Sequence, residues 1–136
     1  GNGPDAVVNH PDIYYTGSVP HDICLQIFSA ADWMIHLAWL DHCPTTVVEA
    51  LSQKCPVICT DSGGTKEIVG KNGLILAETT QYNFELTDYD SPYRLEFKDI
   101  ESFDWLKKTE VKNEYLNIKS VAERYLQVFT SVLEGK

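Results

Sequence analysis

The stretch LDHCPTTVVEALSQK, residues 40–54, contains two carboxylates and two threonines at or near a predicted helix start. Asp41 stands in the preceding loop, Pro44 marks the first helical position, and Thr45 and Thr46 follow it. The backbone N–H groups of a helix's first turn lack partners inside the helix and lie at the positive end of its dipole. They can therefore bind an anion such as a phosphate. The hydroxyls of Thr45 and Thr46 add donors, whereas Pro44 has no N–H to offer.

Glu49 lies too far along this helix to bind the same anion. At about 1.5 Å per residue it is roughly 7–8 Å beyond the helix start. A carboxylate accepts two hydroxyl hydrogen bonds, such as those of a ribose diol, and Asp41 is able to accept from hydroxyls on the other side of the phosphates. The spacing fits a diphosphate flanked by two sugars. The alternative is that Asp41 is only a helix-start charge and Glu49 a solvated helix residue.

An alternation of strands and helices is predicted to position these side chains. The short apolar or β-branched segments predict strands at residues 12–19, 33–39, 56–61 and 73–77. The three- and four-residue apolar spacing predicts helices from Pro20, over residues 44–54 and 65–69, and over the C-terminal residues 114–134, where Asn113 or Asn117 would be the cap. This rhythm predicts an α/β fold: one three-layer Rossmann-like domain over residues 1–136, with a parallel sheet covered by the helices from Pro20 and Pro44 and by the C-terminal helix.

The predicted fold indicates where a ligand would bind, and it leaves one segment of the chain without a predicted regular structure. In such sheets ligands bind beyond the carboxyl ends of the strands, which is where Asp41 and Asp61 fall. Residues 78–113 show no periodicity and are predicted to be irregular, with one helix around residues 100–107.

The composition narrows the class of protein. The 136 residues are 43% hydrophobic, which suits one globular domain, and no apolar run reaches the ~18 residues of a membrane span. A net charge of −9 argues against a nucleic-acid partner, because such binding needs a clustered basic surface. No secretion signal is visible, so we expect a cytoplasmic protein, with peripheral membrane attachment of a full-length form left open.

The cysteines and histidines do not form a metal-binding pattern. Cys55 directly precedes the strand predicted at residues 56–61 and Cys59 lies within it, which places them too far apart for easy bridging, and the histidines are scattered. We expect no metal and reduced thiols, with Cys43 the exposed one. His36, inside a predicted strand, is interpreted as a hydrogen-bonded core histidine.

A family resemblance rests on residues 29–69. It consists of Ala-Ala-Asp before a buried strand, an acid and a Glu eight residues apart (Asp41 and Glu49), a Pro-Val-Ile strand, Gly63-Gly64 and Glu-Ile-Val. This stretch resembles the donor-binding C-terminal domain of retaining, family-4-like glycosyltransferases with the two-domain GT-B fold. The resemblance covers about the first 77 residues and recurs in the last helix.

The resemblance implies a metal-independent transferase without a cofactor. It would move a sugar from a nucleotide-sugar donor to a hydroxyl of a carbohydrate or lipid-linked acceptor, with retained anomeric configuration. Asp41 would lie beside the donor sugar as the catalytic-site acid, in place of the family's first Glu, and Glu49 would hold the ribose. The remaining donor-binding positions implied are Val19 for the base and Cys43, Pro44, Thr45 and Thr46 for the diphosphate.

Two departures from the family pattern matter. Asp41 is one methylene shorter than the family's Glu, so its sugar contact is expected to shift or to pass through water. The family's diphosphate-binding Arg and Lys and its acceptor-binding domain lie upstream of the matched region, so we expect this chain alone to be inactive. Uncovered apolar surface then predicts self-association as a homo-oligomer.

Three alternatives stay open. The first is a catalytically incomplete sugar-nucleotide-binding module that acts with a partner or with an N-terminal domain. The second is a metal-dependent GT-A transferase, in which Asp88 and Asp90 would hold the metal ion. The third is a response-regulator-like domain with Asp61 as phosphoacceptor, although no supporting acidic cluster is visible.

Overall fold

The computed structural model describes residues 8–38, 40–77, 103–104 and 109–135. Within these residues the regular elements are α1 (His21–Ala30), β1 (Met34–His36), α2 (Thr45–Ser52), β2 (Val57–Thr60), α3 (Thr65–Val69), β3 (Gly73–Leu76), a 3₁₀ turn (Glu114–Leu116) and α4 (Ile118–Leu133). Strands and helices alternate through the first part of the chain, and a long helix closes it. The predicted α/β class and C-terminal helix are confirmed.

The strands form a parallel three-stranded sheet in the order β1-β2-β3. Ile58 of β2 pairs with Ile35 of β1 on one side and with Leu74 of β3 on the other. All four residues of the central strand are buried, as expected for a parallel strand covered on both faces. The continuous apolar run that predicted this strand is therefore explained by its central place.

The core lies between α2 and the sheet. Val47, Ala50 and Leu51 on one side of α2 pack with Val57 and Cys59, which alternate along β2 and so share a face. Full burial of a side chain such as Leu51 contributes about 1.5–3 kcal/mol relative to exposure. Because this side of α2 is buried, the helix cannot turn about its axis, and its opposite side is held in a fixed direction.

The strand predicted over residues 12–19 is wrong, because residues 8–20 contain neither strand nor helix. The segment folds back on itself: Ile13 N donates to His10 O, and the Tyr15 hydroxyl contacts the main chain of Val8. Tyr14 is 85% exposed. β-Propensity favours a strand only where a neighbouring strand and a buried face are available.

Smaller differences concern element ends. Pro44 is the N-cap of α2 and not its first helical residue, and the helix ends at Ser52, two residues earlier than predicted. The C-terminal helix begins at Ile118, with the Asn117 side chain accepting from Lys119 N at 2.9 Å. Of the two predicted caps, Asn117 is therefore the cap. Asp88, Asp90 and most of the helix predicted near residues 100–107 lie outside the described residues.

A polar cluster attaches the segment before α4 to the α/β unit. Asn72, which is buried, accepts from Lys112 N at 2.8 Å and donates to the Tyr115 hydroxyl at 3.1 Å. That hydroxyl donates to Ile68 O at 2.5 Å. Asn113 donates to the last carbonyls of α2. These bonds satisfy carbonyls that a helix leaves without partners near its end.

Helix α4 buries none of its residues within the described structure, although it was predicted to cover the sheet. Its apolar side is exposed, with Tyr125, Leu126 and Phe129 each about 60% accessible. Self-association through such a surface stays a prediction.

Candidate functional site

The loops that follow β1 and β2 meet at the carboxyl edge of the sheet. The Asp41 carbonyl accepts from Gly64 N at 3.0 Å and from the Thr65 hydroxyl at 3.3 Å. The Thr60 hydroxyl at the end of β2 is 3.5 Å from the Ala38 carbonyl. This edge is where open parallel sheets bind their ligands.

Gly63 and Gly64 allow this close approach. Gly63 has φ of +66°, and a Cβ added there would lie 2.5 Å from the Asp41 carbonyl oxygen. A Cβ at Gly64 would overlap the carbonyl oxygen of His42. In the sequence the Gly-Gly pair was noted as one feature of the family resemblance. In the structure it is also the surface on which the Asp41 loop rests.

The Asp41 carboxylate has neighbours on both oxygens. Oδ1 accepts from Cys43 N at 3.2 Å, and Oδ2 lies 3.3 Å from Nε2 of His36. The His36 approach is close but poorly aligned, so this buried nitrogen has no hydrogen-bond partner among the described residues. The interpretation of His36 as a hydrogen-bonded core histidine is therefore wrong for Nε2. The Cys43 N–H thus orients one oxygen of the carboxylate, whose side chain is 35% exposed.

The start of α2 presents its donors to solvent. Pro44 is buried, whereas Thr45 and Thr46 are exposed. Within the described part of the chain, neither Thr45 N nor Thr46 N donates to another backbone group, as expected for a helix's first turn. Cys43 is also exposed, but its backbone N–H donates to the Asp41 carboxylate. Thr45 and Thr46 thus supply the open N–H groups of this site.

Glu49 lies on the same face of α2 as Thr45, one turn further along. Its side chain is 29% exposed, and Oε1 lies 3.0 Å from Nε2 of His21, the first residue of α1. Because an ionised carboxylate only accepts hydrogen bonds, the ring nitrogen is the donor. Val19, which is partly buried, lies two residues before His21. The bond therefore links the Val19 segment to α2.

The predicted site residues divide into two groups in space. Asp41, Cys43, Pro44, Thr45 and Thr46 belong to one loop and the helix start that follows it. Glu49 belongs to a second group that His21 connects to the first turn of α1. Sequence reasoning missed His21, because no local pattern relates residues that are 28 positions apart.

The buried thiols do not provide reactive groups. All four cysteines are free, and Cys43 is the exposed one, as predicted. Burial, with a smaller contribution from the Asp61 carboxylate, raises the pKa of Cys59 to about 11. Burial, followed by Asp32, also raises the pKa of Cys55. A thiol that stays protonated at neutral pH is a poor nucleophile.

The described residues contain neither a cluster of metal ligands nor a membrane-spanning helix. Among them, no three His, Cys, Asp or Glu side chains are grouped closely enough to hold a metal ion. None of the described helices combines the length and apolar character needed to cross a membrane.

Comparisons with known proteins place the chain in a family. The family model described as Glycosyl transferases group 1 matches residues 1–85. A Bacillus subtilis (strain 168) protein named "Putative teichuronic acid biosynthesis glycosyltransferase TuaC" is 35% identical over 77 residues, which is 56% of this chain and 20% of that relative. The match thus spans about a fifth of the relative's length. No solved structure gave a match. Since the family model matches more than half of this chain, the chain belongs to the glycosyl transferases group 1 family.

Proposed function

We propose that this chain is the donor-binding domain of a glycosyltransferase that uses a nucleoside-diphosphate sugar. The observation that carries the proposal is the arrangement at the start of α2. There the open N–H groups of Thr45 and Thr46 follow the Asp41 loop, and Glu49 lies one turn further on. Family membership supports sugar transfer. The arrangement supports a donor that presents an anion and two sets of hydroxyls.

Each part of the donor has a proposed partner. The diphosphate binds at the N–H groups of Thr45 and Thr46, beside Cys43 and Pro44, where the helix dipole favours negative charge. The two ribose hydroxyls donate to Glu49. The base lies against the main chain near Val19, two residues before the histidine that contacts Glu49.

Asp41 is proposed to accept from the donor sugar. A carboxylate has about four acceptor positions, so the contacts with Cys43 N and His36 leave room for a sugar hydroxyl or for a bridging water. The Asp41 side chain is one methylene shorter than the Glu of the family pattern. Its orientation compensates in part for the shorter reach, because Oδ1 accepts from Cys43 N at 3.2 Å. Fixing a polar group in advance reduces the entropy lost on binding.

The proposed transfer retains the anomeric configuration and needs no metal. The bond between the sugar's anomeric carbon and the diphosphate oxygen breaks while the acceptor oxygen bonds to that carbon on the same face. The proton of the acceptor hydroxyl passes to the leaving diphosphate. No protein nucleophile is required, which agrees with the raised pKa of Cys55 and of Cys59.

Titration calorimetry tests the proposal. The chain is titrated with uridine, guanosine and adenosine diphosphates and their glucose conjugates in the presence of EDTA, and turnover is measured in parallel with an NMR assay of product anomeric configuration. Binding of a nucleotide sugar supports the proposal, and absence of binding to every member of the panel refutes it. Binding without turnover favours the alternative of a module that acts with another domain or subunit.

A further inference from the structure

His21 lies outside the predicted site, and its side chain contacts the side chain of a predicted site residue, Glu49. Its Nε2 lies 3.0 Å from Oε1 of Glu49, a distance typical of a charge-assisted hydrogen bond. The two residues belong to α1 and α2, which pack against each other. Their side chains differ in burial: the Glu49 side chain is 29% exposed, and the His21 side chain is 68% exposed.

The contact uses only part of the acceptor capacity of Glu49. A carboxylate accepts about four hydrogen bonds, so one bond at Oε1 leaves Oε2 and one further position on Oε1 for hydroxyls. A glutamate side chain has several rotatable bonds, and fixing them on ligand binding costs rotamer entropy. A group that holds the carboxylate before the ligand arrives removes part of this cost.

We propose that His21 is a positioning residue that holds the Glu49 carboxylate in the orientation that accepts both ribose hydroxyls. This inference rests on the proposed function, because it assigns the ligand of Glu49 as ribose. The consequence is specificity for the sugar of the nucleoside: a 2′-deoxyribose offers only one of the two hydroxyls. His21 acts through Glu49 and need not touch the nucleotide.

A purely structural role makes a different prediction. If the His21–Glu49 bond only links α1 to α2, replacing His21 should weaken stability and lower the affinity for all nucleotides by the same factor. The preference for ribose over 2′-deoxyribose would then be unchanged. The ratio of the two affinities is therefore the informative quantity.

The experiment measures this ratio in the wild-type chain and in substituted chains by titration calorimetry. The probes are uridine, guanosine and adenosine diphosphates and their 2′-deoxy counterparts. His21→Ala removes the donor, and His21→Gln restores an N–H donor at similar reach. His10→Ala is the matched control, since His10 is also an exposed histidine beside a carboxylate, 3.8 Å from Asp12. Circular dichroism and thermal melting check the fold of each variant.

We expect the wild type to prefer the ribonucleotide by about tenfold or more, as a charge-assisted hydrogen bond warrants. His21→Ala should reduce this preference at least threefold, and His21→Gln and His10→Ala should keep most of it. An unchanged preference in His21→Ala refutes the positioning role and leaves the proposed function intact. If His21→Ala does not fold, a reduced preference in His21→Asn supports the role and an unchanged one refutes it.

Two outcomes concern the proposed function itself. A wild type that binds diphosphates without preferring ribose refutes the ribose assignment of Glu49, and the role of His21 falls with it. A wild type that binds none of the probes refutes the proposed donor site as a whole and this inference with it.

Discussion

Replacing Gly63 by alanine should test whether the Asp41 loop rests on the Gly-Gly turn. Gly63 has φ of +66°, and its added Cβ would lie 2.5 Å from the Asp41 carbonyl oxygen. Since ordinary contact begins near 3.4 Å, one of the two atoms must move by about 0.9 Å in a packed region. The carbonyl that moves is the acceptor of the Gly64 N–H and of the Thr65 hydroxyl.

The expected loss of stability has two parts. Holding a non-glycine residue at positive φ costs about 1–2 kcal/mol. Weakening two hydrogen bonds to the Asp41 carbonyl costs about 1 kcal/mol each. Gly63→Ala should therefore lower the free energy of unfolding by about 3–4 kcal/mol.

Gly17→Ala is the matched control. Gly17 has nearly the same φ, +65°, but an added Cβ would meet nothing within 4 Å. This change should cost only the backbone term, about 1–2 kcal/mol. Both substitutions change the unfolded chain in the same way, so the difference between them reports the loop contact.

Urea unfolding monitored by tryptophan fluorescence measures both variants. With a slope of about 2 kcal/mol per molar, the midpoint of Gly63→Ala should lie about 1 M below that of Gly17→Ala. Equal midpoints would refute the close contact between Gly63 and the Asp41 loop.

Further predictions concern the thiols and the polar cluster. Native Cys43 should react with iodoacetamide at pH 8 while Cys55 and Cys59 stay unmodified, as peptide mass spectrometry would show; modification of all three refutes the burial argument. The pKa of Cys59 is raised from 9.0 to about 11 in the folded chain, so this thiol ionises at a lower pH in the unfolded chain than in the folded one. The free energy of unfolding should therefore be insensitive to this thiol below pH 9 and fall between pH 9 and 11, and urea titrations should find this decline reduced in Cys59→Ala. Tyr115→Phe should cost about 1–3 kcal/mol by urea unfolding because its hydroxyl both donates and accepts. Tyr125→Phe, on the exposed side of α4, should cost almost nothing.

The fold was predictable where local pattern and burial agree. β2 reads as a continuous apolar run because it is the central strand, with all four residues buried. Helix α2 shows helical spacing because Val47, Ala50 and Leu51 pack on the sheet. Asn117 could be named as a candidate cap because the capping bond is made within two residues.

Features that depend on distant partners were not predictable. Residues 12–19 have the composition of a strand, but no described strand pairs with them. The contact between Gly63 and the Asp41 loop, and the bond between His21 and Glu49, join residues more than 20 positions apart. Spacing along a sequence reports faces of single elements, and it does not report which loops meet.

The candidate site was predictable in part for the same reason. Asp41, Thr45 and Thr46 lie close together because they surround one helix start, and the sequence shows this directly. His36 was interpreted from its strand alone. The loop after β1 brings the Asp41 carboxylate back beside His36, and only the three-dimensional structure reveals this contact.

The central claim is that Glu49 and Asp41 contact different parts of one nucleotide sugar. Glu49→Gln and Asp41→Asn are the suitable changes. Each removes a charge but keeps an oxygen, so that the Cys43 N–H can still bond to residue 41. Four binding isotherms, two variants against a nucleoside diphosphate and its sugar conjugate, make the test.

Glu49→Gln should weaken both ligands alike, by about 1–3 kcal/mol, because both contain the ribose. Asp41→Asn should leave the nucleoside diphosphate nearly unaffected and weaken only the sugar conjugate. Equal losses for both ligands in Asp41→Asn, or none in Glu49→Gln, would contradict the assignment.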